Sequence, residues 1–572
     1  MPPKLLINLI LALLAASVTA AAAARRHPSP ASSAAAGGEP VYLWPLPKNF
    51  TSGSLTLLVD PDLELDAQGP GGAAAAVAEA FERYRSLIFA PWAHAARNAS
   101  GGYDVGKLTV VVASADEKLE LGVDESYTIY VAAAHGVNSI VGGATIEANT
   151  IYGAIRGLET FSQLCVFNYD TKNVEVRHAP WYIEDEPRFA FRGLLLDTSR
   201  HFLPVDVIKQ VIDSMSFSKL NVLHWHIIDE QSFPLEVPSY PNLWKGSYSK
   251  LERYTVEDAR DIVRCSLISR LKLPDSKAML GKEVSMSWLK LTCLAMQNHG
   301  ERDIQSSGLL LSVENHMRKI FPFGLFHLGG DEVYTGCWNA TPHVKQWLHE
   351  RNMTTKDAYK YFVLKAQEIA INLKWIPVNW EETFNSFKEN LNPLTVVHNW
   401  LGPGVCPKVV EKGFRCIMSN QGVWYLDHLD VPWEDFYTSE PLAGISNTAQ
   451  QKLVLGGEVC MWGETADTSD VQQTIWPRAA AAAAYVESVG GHICPRPGNN
   501  RLGSVTLFQM PAESPWNRCS SSHKLLCSAS PNQSWFMLHS VNRELQSKDR
   551  HRRGICLHTP STVPTKMVSC QF

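Results

Sequence analysis

Between residues 194 and 464 the chain repeats one unit: a short apolar run closes on acids, amides or tryptophans, and a stretch of helical spacing follows. Runs at 194–196, 221–228, 324–328, 376–379, 394–398, 414–418 and 452–455 read as strands, and 205–218, 256–263 and 356–373 as helices. Strands alternating with helices predict parallel βαβ units. Because every strand end carries polar or aromatic residues, the pattern predicts a (β/α)8 TIM-like barrel over 186–484, with its site built from residues that follow the strands. A doubly wound sheet is the alternative, but it would gather its ligand at one switch point.

Residues 39–185 read as a smaller α+β domain. Strands are expected at 54–59, 108–112 and 127–131, and helices at 74–89 and 150–165. It holds no cluster of convergent acids, so it is expected to support the site rather than carry it.

The chemistry concentrates where the apolar run 320–328 ends in Gly329-Gly330 and is followed at once by Asp331-Glu332. Glycines there permit a sharp turn. The turn would hold two carboxylates at the rim of the sheet. The other strand ends supply acids, tryptophans, a tyrosine and an arginine. There is no G-x-S-x-G elbow, no phosphate-binding glycine loop and no set of metal ligands, so no cofactor is expected. Acids with aromatic rings fit carbohydrate, whose ring offers apolar faces to indole and hydroxyls to carboxylates. Cleaving a glycosidic bond needs a proton donor at the leaving oxygen and negative charge near the anomeric carbon. Adjacent Asp331 and Glu332 cannot readily flank one bond as acid and nucleophile, so one of them must serve otherwise.

The remaining features concern compartment and partners. In a chain of 572 residues, 52 Lys+Arg against 57 Asp+Glu leave a net charge of −5, which points to neither nucleic acid nor an anionic membrane. Residues 1–20 read as a signal peptide: Lys4, an apolar run over 5–16, and a small-residue cleavage site at Val18-Thr19-Ala20. That run is too short to span a bilayer comfortably. Residues 21–38 read as a disordered linker. Export agrees with sequons at Asn49, Asn98, Asn352 and Asn532, and with 12 cysteines, of which Cys406 and Cys416 are near enough to close a short loop.

Four stretches are similar to the β-N-acetylhexosaminidases of glycoside hydrolase family 20, especially those of plant and animal secretory pathways. They are Phe191-Arg192-Gly193-Leu194-Leu195-Leu196-Asp197-Thr198-Ser199-Arg200-His201, His224-Trp225-His226-Ile227-Ile228-Asp229, His327-Leu328-Gly329-Gly330-Asp331-Glu332 and Gly456-Gly457-Glu458-Val459-Cys460-Met461-Trp462-Gly463-Glu464. The resemblance implies exo-hydrolysis of terminal N-acetylhexosamine from glycans, with the substrate's own acetamido oxygen as nucleophile. It implies Glu332 as general acid and then base, and Asp331 as the group that holds the acetamido N–H. It implies Tyr425 on the acetamido oxygen, and Trp380, Trp400 and Trp462 as walls of the acetamido pocket. Arg192, Asp229, Asp427 and Glu464 would hold sugar hydroxyls. For Arg192 the competing expectation is a structural salt bridge. Family members are often homodimers, and an extracellular, vacuolar or lysosomal destination is implied.

Two segments depart from the family pattern. Over 265–316 the third-strand motif and its Pro-Gly-His loop are missing, and the stretch at 307–313 is the best replacement strand. From 485 to 572 a Gly/Pro/Ser-rich tail replaces a helical closure and is expected to be largely disordered. A barrel short of one strand would leave two unpaired edges. This chain is therefore expected to fold poorly or to be weakly active, and a non-catalytic carbohydrate-binding or defective splice variant of the same family is the alternative reading.

Overall fold

A computed structural model describes residues 42–91, 102–131, 143–265, 281–286 and 303–488. Its first part is a six-stranded sheet: β1 (Asn49–Gln68), β2 (Val105–Val112), β3 (Tyr127–Val131), β4 (Gly143–Ala148), β5 (Cys165–Asn168) and β6 (Asn173–Asp185). The order is β1-β2-β4-β3-β6-β5, with β1 also paired to β6. From Leu108 to Val112 β2 alternates buried and intermediate residues, as a strand with one covered face does. The cover is two helices, Ala75–Ile88 and Ile151–Leu164, whose Val77, Phe81, Tyr84, Ile155, Leu158 and Phe161 share one core with the strands. Thr150 caps the second helix by accepting from the Gly153 N–H.

The second part is a closed barrel of eight strands: β7 (Phe191–Asp197), β8 (Val222–Ile228), β9 (Gly281–Met286), β10 (Leu325–His327), β11 (Ile376–Trp380), β12 (Val396–Asn399), β13 (Arg415–Met418) and β14 (Val454–Met461). Every barrel pairing is parallel, and β14 closes on β7 with Gly456 opposite Phe191 and Met461 opposite Leu196. All seven residues of β7 and of β8 are buried. Parallel strands in a barrel are covered on both faces, so Leu194-Leu195-Leu196 in β7 is apolar without alternation, and the polar Arg192, His224 and His226 are buried with their partners. The disulfide Cys406–Cys416 ties the helix Val405–Glu411 to β13, as the short spacing leads one to expect.

Two expectations are corrected. The barrel does not lack a strand: Gly281–Met286 lies between β8 and β10, pairing Leu223 with Lys282, Trp225 with Val284, and His327 with Ser285. Its sequence, Gly-Lys-Glu-Val-Ser-Met, shows no apolar alternation. Backbone ladders supply the pairing without one. Residues 307–313 are not a strand either; they lie in the helix Asp303–Ile320. Val313, Met317 and Ile320, spaced four and three apart, place one helix face in the core. After β14 the helix Arg478–Glu487 packs on the barrel with Ala479 to Ala484 all buried; the stretch from residue 489 on, where a helical closure is expected to be replaced, lies outside the described residues. Alanine is the best helix former and its small side chain lets the helix approach closely. The helix continues past 485: the Phe189 N–H donates to the Val486 carbonyl at 3.2 Å and the Arg188 N–H to that of Glu487 at 2.8 Å. The expected signal peptide, linker and Asn98, and all but the first few residues of the tail, lie outside the described residues.

Candidate active site

The Asp331-Glu332 turn is held from three sides. Gly329 and Gly330 take φ of 69° and 103°, which glycine adopts without strain, and Glu332 takes 47°. The Gly329 carbonyl accepts from the Trp380 N–H at 3.1 Å and from Asn379 Nδ2 at 3.0 Å. The Gly330 carbonyl accepts from the Tyr359 hydroxyl at 2.6 Å. The Gly329 N–H donates to His327 Nδ1 at 3.1 Å. That leaves His327 Nε2 to donate to His398 Nδ1 at 3.2 Å. Below, Glu458 Oε1 lies 2.8 Å from His224 Nδ1, in a fully buried layer across the barrel interior. The turn leaves Asp331 half-buried and Glu332 exposed.

Beside the turn the ends of β11, β12 and β14, with the short helix after β13, bring four rings together. The centroids of Trp400 and Tyr425 are 6.3 Å apart at 12°, those of Trp380 and Trp400 6.5 Å at 71°, and those of Tyr425 and Trp462 6.0 Å at 55°. Trp380 and Tyr425 are buried while Trp400 and Trp462 are partly open, so the cluster has a closed floor and an accessible edge. Burial, with Cys460 and Asp331 nearby, keeps the Tyr425 hydroxyl protonated well above its ordinary range.

The polar side of the site is organised by Arg200, not Arg192. Arg200 Nη1 lies 3.1 Å from Asp197, Nη2 2.8 Å from Asp229, and Nε 3.8 Å from Glu464. Its guanidinium carbon lies 5.1 Å over the ring of Trp462. Asp197 Oδ2 also accepts from the Gly463 N–H at 3.0 Å, which ties the end of β7 to the Trp462–Glu464 segment. Burial raises the pKa of Asp427 and of Glu464.

Arg192 is corrected as a sugar-binding residue. It is the second residue of β7, at the strand's opposite end, and is 0% exposed. Its guanidinium is spent on Glu125 and Glu487, each at 2.7 Å, and on the carbonyls of Lys219 and Phe189. Strand direction is the signal that separates the two arginines: Arg200 follows the carboxyl end of β7, where barrel sites lie. Of the other expected site residues, Trp380 ends β11, and Asp331, Glu332, Asp229, Trp400, Tyr425, Asp427, Trp462 and Glu464 all follow barrel strands. Asn49 and Asn352 are exposed.

Sequence reasoning missed one further pair. Glu381 and Glu382 open the helix after β11. Glu381 Oε2 accepts the N–H of Trp400 at 2.8 Å and of Leu401 at 3.2 Å, and also takes Asn399 Nδ2. Both oxygens of Glu382 face Trp400 Nε1, at 3.0 and 3.2 Å. Burial, opposed by the Trp400 bond and aided by Asp331, pushes the Glu382 carboxyl up to about 7.

The family model described as glycosyl hydrolase family 20, catalytic domain, matches residues 189–267 and 300–486, interrupted within the segment that departs from the pattern. A second, described as beta-acetyl hexosaminidase like, matches 43–164. The chain is 56% identical to beta-hexosaminidase 1 of Arabidopsis thaliana over 83% of its own length and 88% of the relative's. It is 45% identical to beta-hexosaminidase 3 of the same plant, covering 81% and 87% of the two. Against the human beta-hexosaminidase subunit beta it is 32% identical, covering 77% and 82%. Among solved structures, the Flavobacterium johnsoniae chitobiase superposes with a TM-score of 0.65 at 24% identity, covering 79% of this chain and 70% of that one. These matches include both parts of the fold, and the chain belongs to glycosyl hydrolase family 20.

Proposed function

We propose that this protein is a β-N-acetylhexosaminidase that removes terminal non-reducing N-acetyl-β-D-hexosamine residues from glycans with retention of configuration. The observation that carries the reading is the four-ring cluster of Trp380, Trp400, Tyr425 and Trp462 beside the Asp331-Glu332 turn. Relatives named beta-hexosaminidase at 56% and 45% identity support it. The rings offer apolar faces and the Tyr425 hydroxyl one polar group, and an acetamido methyl and carbonyl answer that description.

In the first step the acetamido oxygen bonds to the anomeric carbon while the glycosidic C–O bond breaks, and Glu332 gives its proton to the departing oxygen. Asp331 accepts the acetamido N–H, and Tyr425 donates to the acetamido oxygen. In the second step Glu332 takes a proton from water as that water attacks the anomeric carbon and reopens the ring. Two inversions give retention. Arg200, Asp229, Asp427 and Glu464 line the polar side and bind sugar hydroxyls. A second carboxylate acting as nucleophile would belong on another strand, about 5 Å from Glu332; Asp331 is its chain neighbour, so substrate assistance is the better fit.

The closed barrel and the matching relatives do not favour the defective or merely sugar-binding alternative. Export through the secretory pathway is supported by the exposed sequon asparagines Asn49 and Asn352 and by the Cys406–Cys416 disulfide. Homodimer formation is part of the proposal by family resemblance. The test is hydrolysis of an aryl N-acetyl-β-D-glucosaminide set against the matching aryl β-D-glucoside. Rapid cleavage of the first alone is expected; equal rates for both would sink substrate assistance.

A further inference from the structure

The two carboxylates after β11 divide their work in a way that bears on the acetamido pocket. Glu381, 1% exposed, accepts from the main chain of Trp400 and Leu401. It therefore sets where the backbone after β12 runs. It does not set how the Trp400 ring is turned about its own side-chain bonds. The one polar handle on that ring is Nε1, and it points between the two oxygens of Glu382, at 3.0 and 3.2 Å. In this orientation the indole lies at 12° to the Tyr425 ring, 6.3 Å away. These two near-parallel rings are the flat-sided part of the aromatic cluster.

We propose that Glu382 is a positioning residue for the acetamido pocket: it holds the Trp400 indole parallel to Tyr425 and thereby sets selectivity for N-acetylated sugars. The proposal rests on the acetamido-pocket reading of the aromatic cluster. Glu382 does not touch the reacting atoms. Glu382 is half-buried, and its carboxylate meets Trp400 Nε1 and lies close enough to Asp331, Glu381 and Tyr359 to interact with them electrostatically. A half-open indole has several staggered side-chain rotamers available. Without the anchor the ring can leave the parallel orientation, and the ligand must then supply the cost of restoring it.

The test measures affinity of the full chain for two probes. One is a thiazoline mimic of the bicyclic intermediate, which fills the acetamido pocket. The other is a gluco-configured iminosugar without an acetamido group. Glu382→Leu is expected to weaken thiazoline binding by about ten-fold or more, the scale of a hydrogen bond to a charged group, while the iminosugar changes by less than about three-fold. Glu382→Gln keeps an oxygen to accept the indole N–H and is expected to stay within about three-fold of the parent for both probes. In a Trp400→Phe background, which has no N–H to anchor, Glu382→Leu is expected to add little. Equal weakening of both probes, no weakening of the thiazoline, or failure of Glu382→Gln to rescue would each overturn the proposal. A parent chain that binds the iminosugar but not the thiazoline would overturn the pocket reading itself, and the proposal with it.

Discussion

Arg192 Nη2 and Glu125 Oε2 meet at 2.7 Å, with the two side chains 0% and 5% exposed. The pair joins the first barrel strand to the segment before β3, and Arg156 Nε shares the same oxygen at 2.7 Å. Burial alone would raise the Glu125 pKa, but the two guanidiniums outweigh it and hold the carboxyl down to about 2. Truncating one member of a buried pair strands the other charge. Arg192→Met should therefore cost about 3–5 kcal/mol of stability while leaving KM of the folded protein unchanged. Arg200→Met should also cost stability, because buried Asp197 and Asp229 lose this partner, but unlike Arg192→Met it should in addition raise KM about ten-fold or more. Thermal melts beside Michaelis kinetics check both. The folded pKa of Glu125 is depressed, so its contribution is present above the unfolded value and is lost as pH falls through about 2.

Glu332→Gln removes the transferable proton and leaves the shape of the turn. We expect kcat to fall by about 100- to 10,000-fold with KM changed by less than about three-fold, measured on an aryl N-acetylglucosaminide. Loss of binding in place of turnover would argue that Glu332 shapes the site and does not work the proton.

Glu314 predicts a pH-dependent gain in stability. It is fully buried in the helix before β10, both its oxygens lack a hydrogen-bond partner, and burial raises its pKa well above the ordinary value. A raised folded pKa contributes stability that is full below the unfolded value and lost as pH rises through the folded one. Glu314→Leu should therefore stabilise the chain more at pH 7.5 than at pH 4.5, by about 1–3 kcal/mol. Urea melts at the two pH values read this directly, and a gain equal at both would argue against a buried acid.

Gly457 lies where a side chain has no room: a Cβ there would fall 1.9 Å from Cζ3 of Trp424, the ring just before Tyr425 in the chain. Gly457→Ala should cost about 1–3 kcal/mol and raise KM, because Trp424 can yield only by moving the pocket's tyrosine. A melt unchanged from the parent would show that the Trp424 ring is free to shift.

Local patterns carried much of this fold. Continuous apolar runs such as Leu194-Leu195-Leu196 in β7 mark strands buried on two faces, and the residues after them mark the rim of the site. Asp331, Glu332, Trp380, Trp400, Tyr425 and Trp462 were legible on that basis, together with the family resemblance. β9 was not. With Lys282 and Glu283 in a six-residue strand, its place is decided by the backbone ladders of β8 and β10 and not by its own side chains. Glu382 was not legible either, because its partner Trp400 lies 18 residues away and an Asp/Glu-rich helix start has an ordinary meaning of its own.

The sequence by itself determined the fold class, the family and the chemical character of the site, since these depend on residue type and on spacing along one strand or helix. The tertiary structure alone decided which of two arginines lies at the carboxyl end of the barrel, which carboxylate anchors which tryptophan, and that the barrel closes. Each of those depends on direction and distance between segments far apart in the chain, and hydrophobic periodicity reports only which side of an element is buried, not what it meets there.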